Sequence, residues 1–475
     1  MISRRGFIRK AATGAAAFTI VPRFVVGGNG FIAPSDTLYI AGVGVGGKGT
    51  SDLTGFAGTP DGKTKGNPKA KIAFLCDADD RMAVKSKENF PNAKYYKDFR
   101  VMLDKEAKGI DAVSVSTPDH NHAVVAMAAM QRGKHVYVQK PLTHNIWEAR
   151  MLTEAAAKYR VVTQMGNQHA SADPARIIKE WIDAGLIGDV TGVQAWTNRP
   201  VWPQGVPSPT GKFDIPSELD WDQWIGPTQM IDFNPAYLPF NWRGWWRFGT
   251  GALGDMGCHI MDAAFRALPI DHPSEVECSS TTAWEGFFKE ASYTESCPAS
   301  SIIHLKFPRK DGKGNIKLTW MDGGLIPQRP EELLPDEVMG DGTNGFIFEG
   351  SKGKITGSYN KPPRLLPTSR MNEVNFPKPT LPRVEGQDAG HYTQWVDACI
   401  AGYGKMQLSS PFEFAGPFTE AVLMGNLAIR AYAMKENGNY PGRKKLLWDA
   451  KNMKITNFDP ANAFVKPEYR AGWSL

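Results

Sequence analysis

The first 35 residues contain no acidic residue, the first 146 contain no tryptophan, and no two of the five cysteines sit at Cys-x-x-Cys spacing. Each absence excludes something. Scattered cysteines exclude a thiolate zinc site and a disulfide framework. Cys76, Cys258, Cys278, Cys297 and Cys399 read as buried or unpaired thiols, with Cys278 and Cys297 the nearest candidates for a single bridge. No internal repeat or low-complexity tract interrupts the 475 residues. With 42% apolar and 22% charged residues, the chain is neither disordered nor fibrous nor a polytopic membrane protein, and its length suits two to three domains.

The charge is unevenly placed. Arg4, Arg5, Arg9, Lys10 and Arg23 lie in the acid-free leader, and without them 50 basic residues face 49 acidic ones. The net +6 therefore belongs to the leader, and nucleic acid is not an expected partner. After Arg4-Arg5-Gly6-Phe7, a mostly apolar stretch runs from Ala11 to Val21 and stops at Pro22. Those eleven residues are too few to cross a bilayer, which takes about 20. A charged start plus a short apolar stretch is the grammar of an export signal, and the paired arginines point to the twin-arginine route. The expectation is a periplasmic protein folded, with its cofactor, before export.

From Asp36 short apolar runs alternate with helical stretches: Leu38–Val43, Ile72–Leu75, Ala112–Ser116 and His135–Val138 read as strands, with a helix over His122–Gln131. Such alternation predicts a doubly wound parallel sheet over residues 36–165. Seven tryptophans then fall between Trp196 and Trp246, which marks a second α/β domain over 166–445, followed by an extension over 446–475. That domain predicts a helix at 252–267, strands at 301–307, 316–321 and 344–348, a patternless stretch at 357–390, and helices at 391–401 and 416–436.

Four motifs carry chemistry. Gly44-Val45-Gly46-Gly47-Lys48-Gly49 follows the first strand and opens a helix, the arrangement that lets backbone N–H groups approach a dinucleotide pyrophosphate. Two registers fit Gly-x-Gly-x-x-Gly, and the one using Gly44, Gly46 and Gly49 lets the strand run to Val43. Asp77 closes the next strand, where a carboxylate accepts ribose hydroxyls and repels a 2′-phosphate; this favours NAD, with Arg81 keeping NADP as a lesser option. Thr117-Pro118-Asp119-His120-Asn121-His122 follows the third strand, either contacting cofactor or substrate or simply capping a helix. Gln139-Lys140-Pro141 ends the fourth, where a lysine can hold a hydroxyl or polarise a carbonyl, or lie exposed in a turn. Finally, Asp255, His259 and Asp262 share one helical face and suit proton transfer; an ordinary core histidine or an Asp-His-Asp metal site are the competing readings.

In this order these residues resemble the glucose–fructose oxidoreductase/inositol dehydrogenase family, Gfo/Idh/MocA, over about residues 36–440. The resemblance implies an N-terminal Rossmann domain and a C-terminal domain whose open, mostly antiparallel sheet assembles dimers or tetramers. It implies Lys140 as the catalytic lysine, completed by Asp255 and His259, and cofactor contacts from Gly44, Gly46, Gly47, Gly49, Asp77, Thr117, Pro118, His120, His122 and Gln139. Gln139 departs from the family's usual Glu-Lys-Pro and removes a charge beside Lys140. Within Asn241-Trp242-Arg243, the ring of Trp242 and the guanidinium of Arg243 are expected to meet a sugar, as is Asp262, while at least half of the tryptophans build core. The expected activity is NAD(P)-dependent interconversion of a secondary hydroxyl and a ketone on a sugar, polyol or glycoside, with tightly held cofactor and no metal. The alternatives are a NAD-dependent glycosidase and a non-catalytic carbohydrate-binding protein.

Overall fold

The computed structural model describes residues 36–475, so the arginine-rich leader lies outside the described residues. Six parallel strands, β1 (Leu38–Val43), β2 (Ala70–Cys76), β3 (Lys94–Tyr96), β4 (Ala112–Val115), β5 (His135–Val138) and β6 (Thr163–Met165), form the first sheet in the order 3-2-1-4-5-6. The inner strands are largely apolar because both faces are covered, and all four residues of β4 are buried, whereas edge strand β3 reads Lys-Tyr-Tyr and is not buried. Five helices connect them: α1 (Lys48–Ala57), α2 (Asp80–Asn89), α3 (Phe99–Lys105), α4 (Asp119–Gln131) and α5 (Ile146–Tyr159). Asp79, Asp98 and Asn145 start α2, α3 and α5 by accepting N–H groups of the first turn. The strand order reverses between β1 and β4, which opens a crevice at their carboxyl ends.

The second domain is built on a nine-stranded sheet. It uses β7 (Val190–Trp196), β8 (Glu275–Ser280), β11 (Ser301–Pro308), β12 (Asn315–Met321), β13 (Gly345–Gly350), β14 (Gly353–Ser358), β15 (Lys361–Leu366), β16 (Leu446–Asp449) and β17 (Lys454–Ile455). A hairpin of β9 (Trp284–Gly286) and β10 (Lys289–Glu290) stands apart. All neighbours pair antiparallel except β7 and β12. The stretch at 357–390, expected to be patternless, contains β15. Its sequence Lys-Pro-Pro-Arg-Leu-Leu hides a strand because proline cannot donate to a ladder, and β15 escapes that cost by lying at the sheet edge.

The second domain's helices are α6 (Asp173–Asp183), α7 (Trp221–Ile225), α8 (Gly251–Ile260), α9 (Asp262–Ala267), α10 (Arg370–Glu373), α11 (Gln387–Ala401) and α12 (Phe412–Tyr432). The helix expected over 252–267 divides at Met261, next to Asp262, whose carboxylate is tied sideways to Asn167 at 3.0 Å. α12 is buried along almost its whole length, between the second sheet and α5. α11 crosses back to the first domain, where Trp395 packs 4.9 Å from the ring of Phe56. All five cysteines are free thiols, so Cys278 and Cys297 form no bridge.

Candidate active site

The crevice beside β1 and β4 widens into a cleft of about 450 Å3 between the two domains. Its first wall is the glycine loop. Gly44 and Gly47 have φ of +74° and +50°, which side chains disfavour. A Cβ on Gly44 would lie 2.6 Å from Thr117 N, and one on Gly49 would lie 1.8 Å from Gly44 O. Gly49 thus lets α1 pack against the loop without itself lining the cleft, while Gly44, Gly46 and Gly47 line it. Asp77 accepts the N–H groups of Val45 (2.8 Å) and Asp79 (3.0 Å), and burial raises its pKa to about 6. Lone pairs remain for ribose hydroxyls. Arg81 is gripped by Asp79 at 2.8 and 2.6 Å, which occupies the cation that a 2′-phosphate would need.

Thr117, Pro118 and His122 also line this cleft. His122 stands with one ring nitrogen 2.8 Å from Pro141 O and the other 2.9 Å from Thr117 O, and its single N–H donates to one of these two strand ends. His120 does not reach the cleft. One residue beyond Asp119 on α4, it points about 100° away, with Nε2 2.9 Å from Trp224 O and Nδ1 3.2 Å from Phe248 O, to one of which its single N–H donates. Burial lowers the pKa of both imidazoles to about 4.

At the substrate end, Lys140 at the end of β5 meets α8: its Nζ lies 2.7 Å from Asp255 Oδ1 and 2.9 Å from Asp255 O. Arg243 Nε stands 3.4 Å from the same carboxylate oxygen, its guanidinium between the rings of Trp242 (4.2 Å) and Phe240 (4.3 Å). Burial opposes ionisation of Asp255, but Lys140 and Arg243 outweigh it and bring the pKa down to about 2. Asp255 is therefore committed to two cations and does not orient His259. That imidazole, one turn on, sits 5.8 Å from the ring of Tyr359 and 5.7 Å from His169, with Nδ1 buried and unbonded. Burial, reinforced by Lys140, keeps it neutral. Asp262 leaves this group altogether: beyond the break at Met261 it pairs with Arg266 at 2.6 Å.

Family comparison settles the lineage. Residues 40–167 match the model described as "Oxidoreductase family, NAD-binding Rossmann fold", and residues 176–285 match the same family's C-terminal alpha/beta domain. The chain belongs to the Gfo/Idh/MocA oxidoreductase family. Its first domain is thus that family's NAD-binding Rossmann domain. Among curated Gfo/Idh/MocA relatives, it is 24% identical over 195 residues to levoglucosan dehydrogenase of Pseudarthrobacter phenanthrenivorans, covering 40% of each chain. It is 30% identical over 176 residues to a NADP(+) scyllo-inositol 2-dehydrogenase of Bacillus subtilis, covering 37% of this chain and 39% of that one. The matches therefore span about two fifths of these relatives. A levoglucosan dehydrogenase solved with NADH and L-sorbose shares the fold at TM-score 0.54 and 16% identity, over 82% of this chain and 96% of that one.

The sequence reading of this Gfo/Idh/MocA site missed three features. Asp52 on α1 is fully buried under the glycine loop and bonds Gln139, Ser116 and Tyr392. Asp119 lines the cleft and takes the hydroxyl of Thr250 at 2.6 Å, and burial raises its pKa to about 7. His169, paired to Asp388 at 2.8 Å, sits beside His259. Asp119 and His169 carried a usable signal, since each follows the carboxyl end of a strand, β4 and β6. The tryptophans are chiefly core: all seven from Trp196 to Trp246 are buried, and only Trp224 and Trp242 line the cleft.

Proposed function

We propose that this protein is a NAD-dependent oxidoreductase that interconverts a secondary hydroxyl and a ketone on a sugar or polyol. The single observation that carries the reading is the Lys140–Asp255 ion pair, which holds an ammonium group in the same cleft that the glycine loop lines. The loop, Asp77 and the occupied Arg81 suit an unphosphorylated adenosine ribose. NAD, when bound, supplies the hydride acceptor. Lys140 holds the reacting oxygen, with Asp255, itself steadied by Arg243, fixing its ammonium. His259, neutral and one helical turn beyond the cleft-lining Asp255, takes the hydroxyl proton. The rings of Trp242 and Trp224 offer apolar faces to a sugar ring. The names of the relatives, levoglucosan and inositol dehydrogenases, support the substrate class.

The test is direct. Purified protein is denatured and its supernatant assayed for released NAD(H) or NADP(H), and a panel of sugars and polyols is screened for nucleotide reduction. No bound nucleotide, no affinity for added NAD and no reduction with any substrate would overturn the reading. The leader supports export with the cofactor aboard, which cell fractionation of the full chain checks. Assembly through the open face of the second sheet is expected, and light scattering checks it.

A further inference from the structure

A second cavity, of about 470 Å3, lies behind the first. The wall between them is the turn that begins α8. Thr250 lines the rear cavity and donates to Asp119, which lines the front one. From the rear, His144 Nε2 bonds Gly249 O at 3.2 Å, and Asn426 Nδ2 donates to Thr250 O at 2.9 Å. Tyr469 of the C-terminal extension closes the far side.

Arg430 of α12 lines this cavity without a counter-ion. Its guanidinium lies 4.1 Å from the ring of Phe464 and 5.9 Å from that of Trp246, and among the described residues it has neither a hydrogen bond nor an ion pair. Burial holds its pKa below the ordinary arginine value. Glu468 also lines the cavity, exposed and without an ion pair among the described residues, while the more buried neighbouring charges are engaged. Arg247 pairs with Glu295 at 3.3 Å, and Glu148 takes the Tyr469 hydroxyl at 2.5 Å and His144 N at 3.1 Å. Two further polar atoms are buried and unbonded, Asn426 Oδ1 and Asn145 Nδ2, on side chains only 7% and 8% exposed. A desolvated guanidinium and two orphaned amide atoms are costly unless a ligand completes them.

We propose that the rear cavity binds a small hydroxylated organic monocarboxylate. Its carboxylate meets the planar fork of Arg430, which suits two parallel N–H···O bonds. A hydroxyl both donates and accepts, so it satisfies either the Asn426 oxygen or the Asn145 amide. With a single unpaired cation and the carboxylates of Glu295, Glu148 and the exposed Glu468 nearby, the site matches one negative charge rather than a phosphate dianion.

Gluconate is the probe, and sorbitol its uncharged counterpart. Calorimetric titration into the purified full chain with its nucleotide is expected to give one gluconate site, with sorbitol at least about tenfold weaker. Arg430→Gln weakens gluconate by about tenfold or more, and so does Arg430→Lys, which keeps charge and stem but lacks the fork. Arg430→Lys carries the test if Arg430→Gln fails to fold. Lys140→Ala leaves gluconate affinity within about twofold, because that side chain lies in the front cleft. Sorbitol binding as tight as that of gluconate in Lys140→Ala, whose front cleft lacks its lysine, undiminished gluconate binding in Arg430→Lys, loss of gluconate binding in Lys140→Ala, or no gluconate binding at all would each overturn the proposal. Failure of the front cleft to oxidise any sugar would leave these results untouched, so the two readings fail separately.

Discussion

Gln139 Nε2 donates to Asp52 Oδ2 at 2.9 Å, beneath the glycine loop. The same carboxylate receives Ser116 Oγ at 2.8 Å, Tyr392 Oη at 2.9 Å and the Lys48 ammonium. The charge that glutamine omits from the Lys140 segment is thus present on α1, one hydrogen bond away. Gln139→Glu would press two carboxylates together out of water, at a cost of about 2–3 kcal/mol. Asp52→Asn in the same chain should recover most of that loss. Urea unfolding of the two single variants and the double variant measures the coupling, and simple additivity would sink the argument.

Lys140→Ala should lower kcat by about 10²–10⁴ while leaving NAD affinity within a few-fold. Arg at 140 should not restore the rate, because a fork replaces a compact ammonium. Acid stability should shift as well. Asp255, at about 2 in the fold and near 3.9 unfolded, stabilises the protein above roughly pH 4 and loses that contribution as pH falls towards 2. Removing Lys140 shrinks the contribution, so acid unfolding followed by circular dichroism should begin at higher pH.

Asp79→Ser should loosen cofactor discrimination. Serine still caps α2, but Arg81 loses its carboxylate partner and becomes available to a 2′-phosphate. The ratio of NADP to NAD affinity should rise by about tenfold; fluorescence titration with both nucleotides measures it, and an unchanged ratio contradicts the assignment of Arg81.

Asp119 titrates in the opposite direction to Asp255. Its folded pKa of about 7 exceeds the unfolded value near 3.9, so the fold binds more protons between those limits and stability falls as pH rises through them. Asp119→Asn should therefore stabilise the protein at pH 8, on the order of 1–3 kcal/mol, and give no gain at pH 4. Thermal unfolding at both pH values checks the sign.

The inner strands of the first domain were legible because they are buried on both faces and read as largely apolar runs; β1 and β5 fall where the sequence puts them, while the edge strand β3, Lys-Tyr-Tyr, carries no such pattern. The site was legible at strand ends, where Lys140, Asp77 and the glycine loop come together on one cleft. It failed where one residue of helical rotation decides the matter, as for His120, and where a helix breaks, as for Asp262. Asp255 and His259 do share a face, but no spacing rule could reveal that Lys140 and Arg243 claim the carboxylate first. Tyr392 reaches Asp52 from 340 residues downstream, a pairing that local pattern cannot hold.

That long reach sets the order in which the molecule can mature. Phe56 and Tyr137 of the first domain pack on Trp395, and Arg100 of α3 stacks 4.6 Å from Trp473 near the chain's last residue. A ribosome that has released the whole nucleotide-binding domain has not yet made the helix that seals it. The dinucleotide fold therefore becomes complete only after α11 has been made, and a chain cut after residue 167 would carry a bare aromatic surface in place of a finished core.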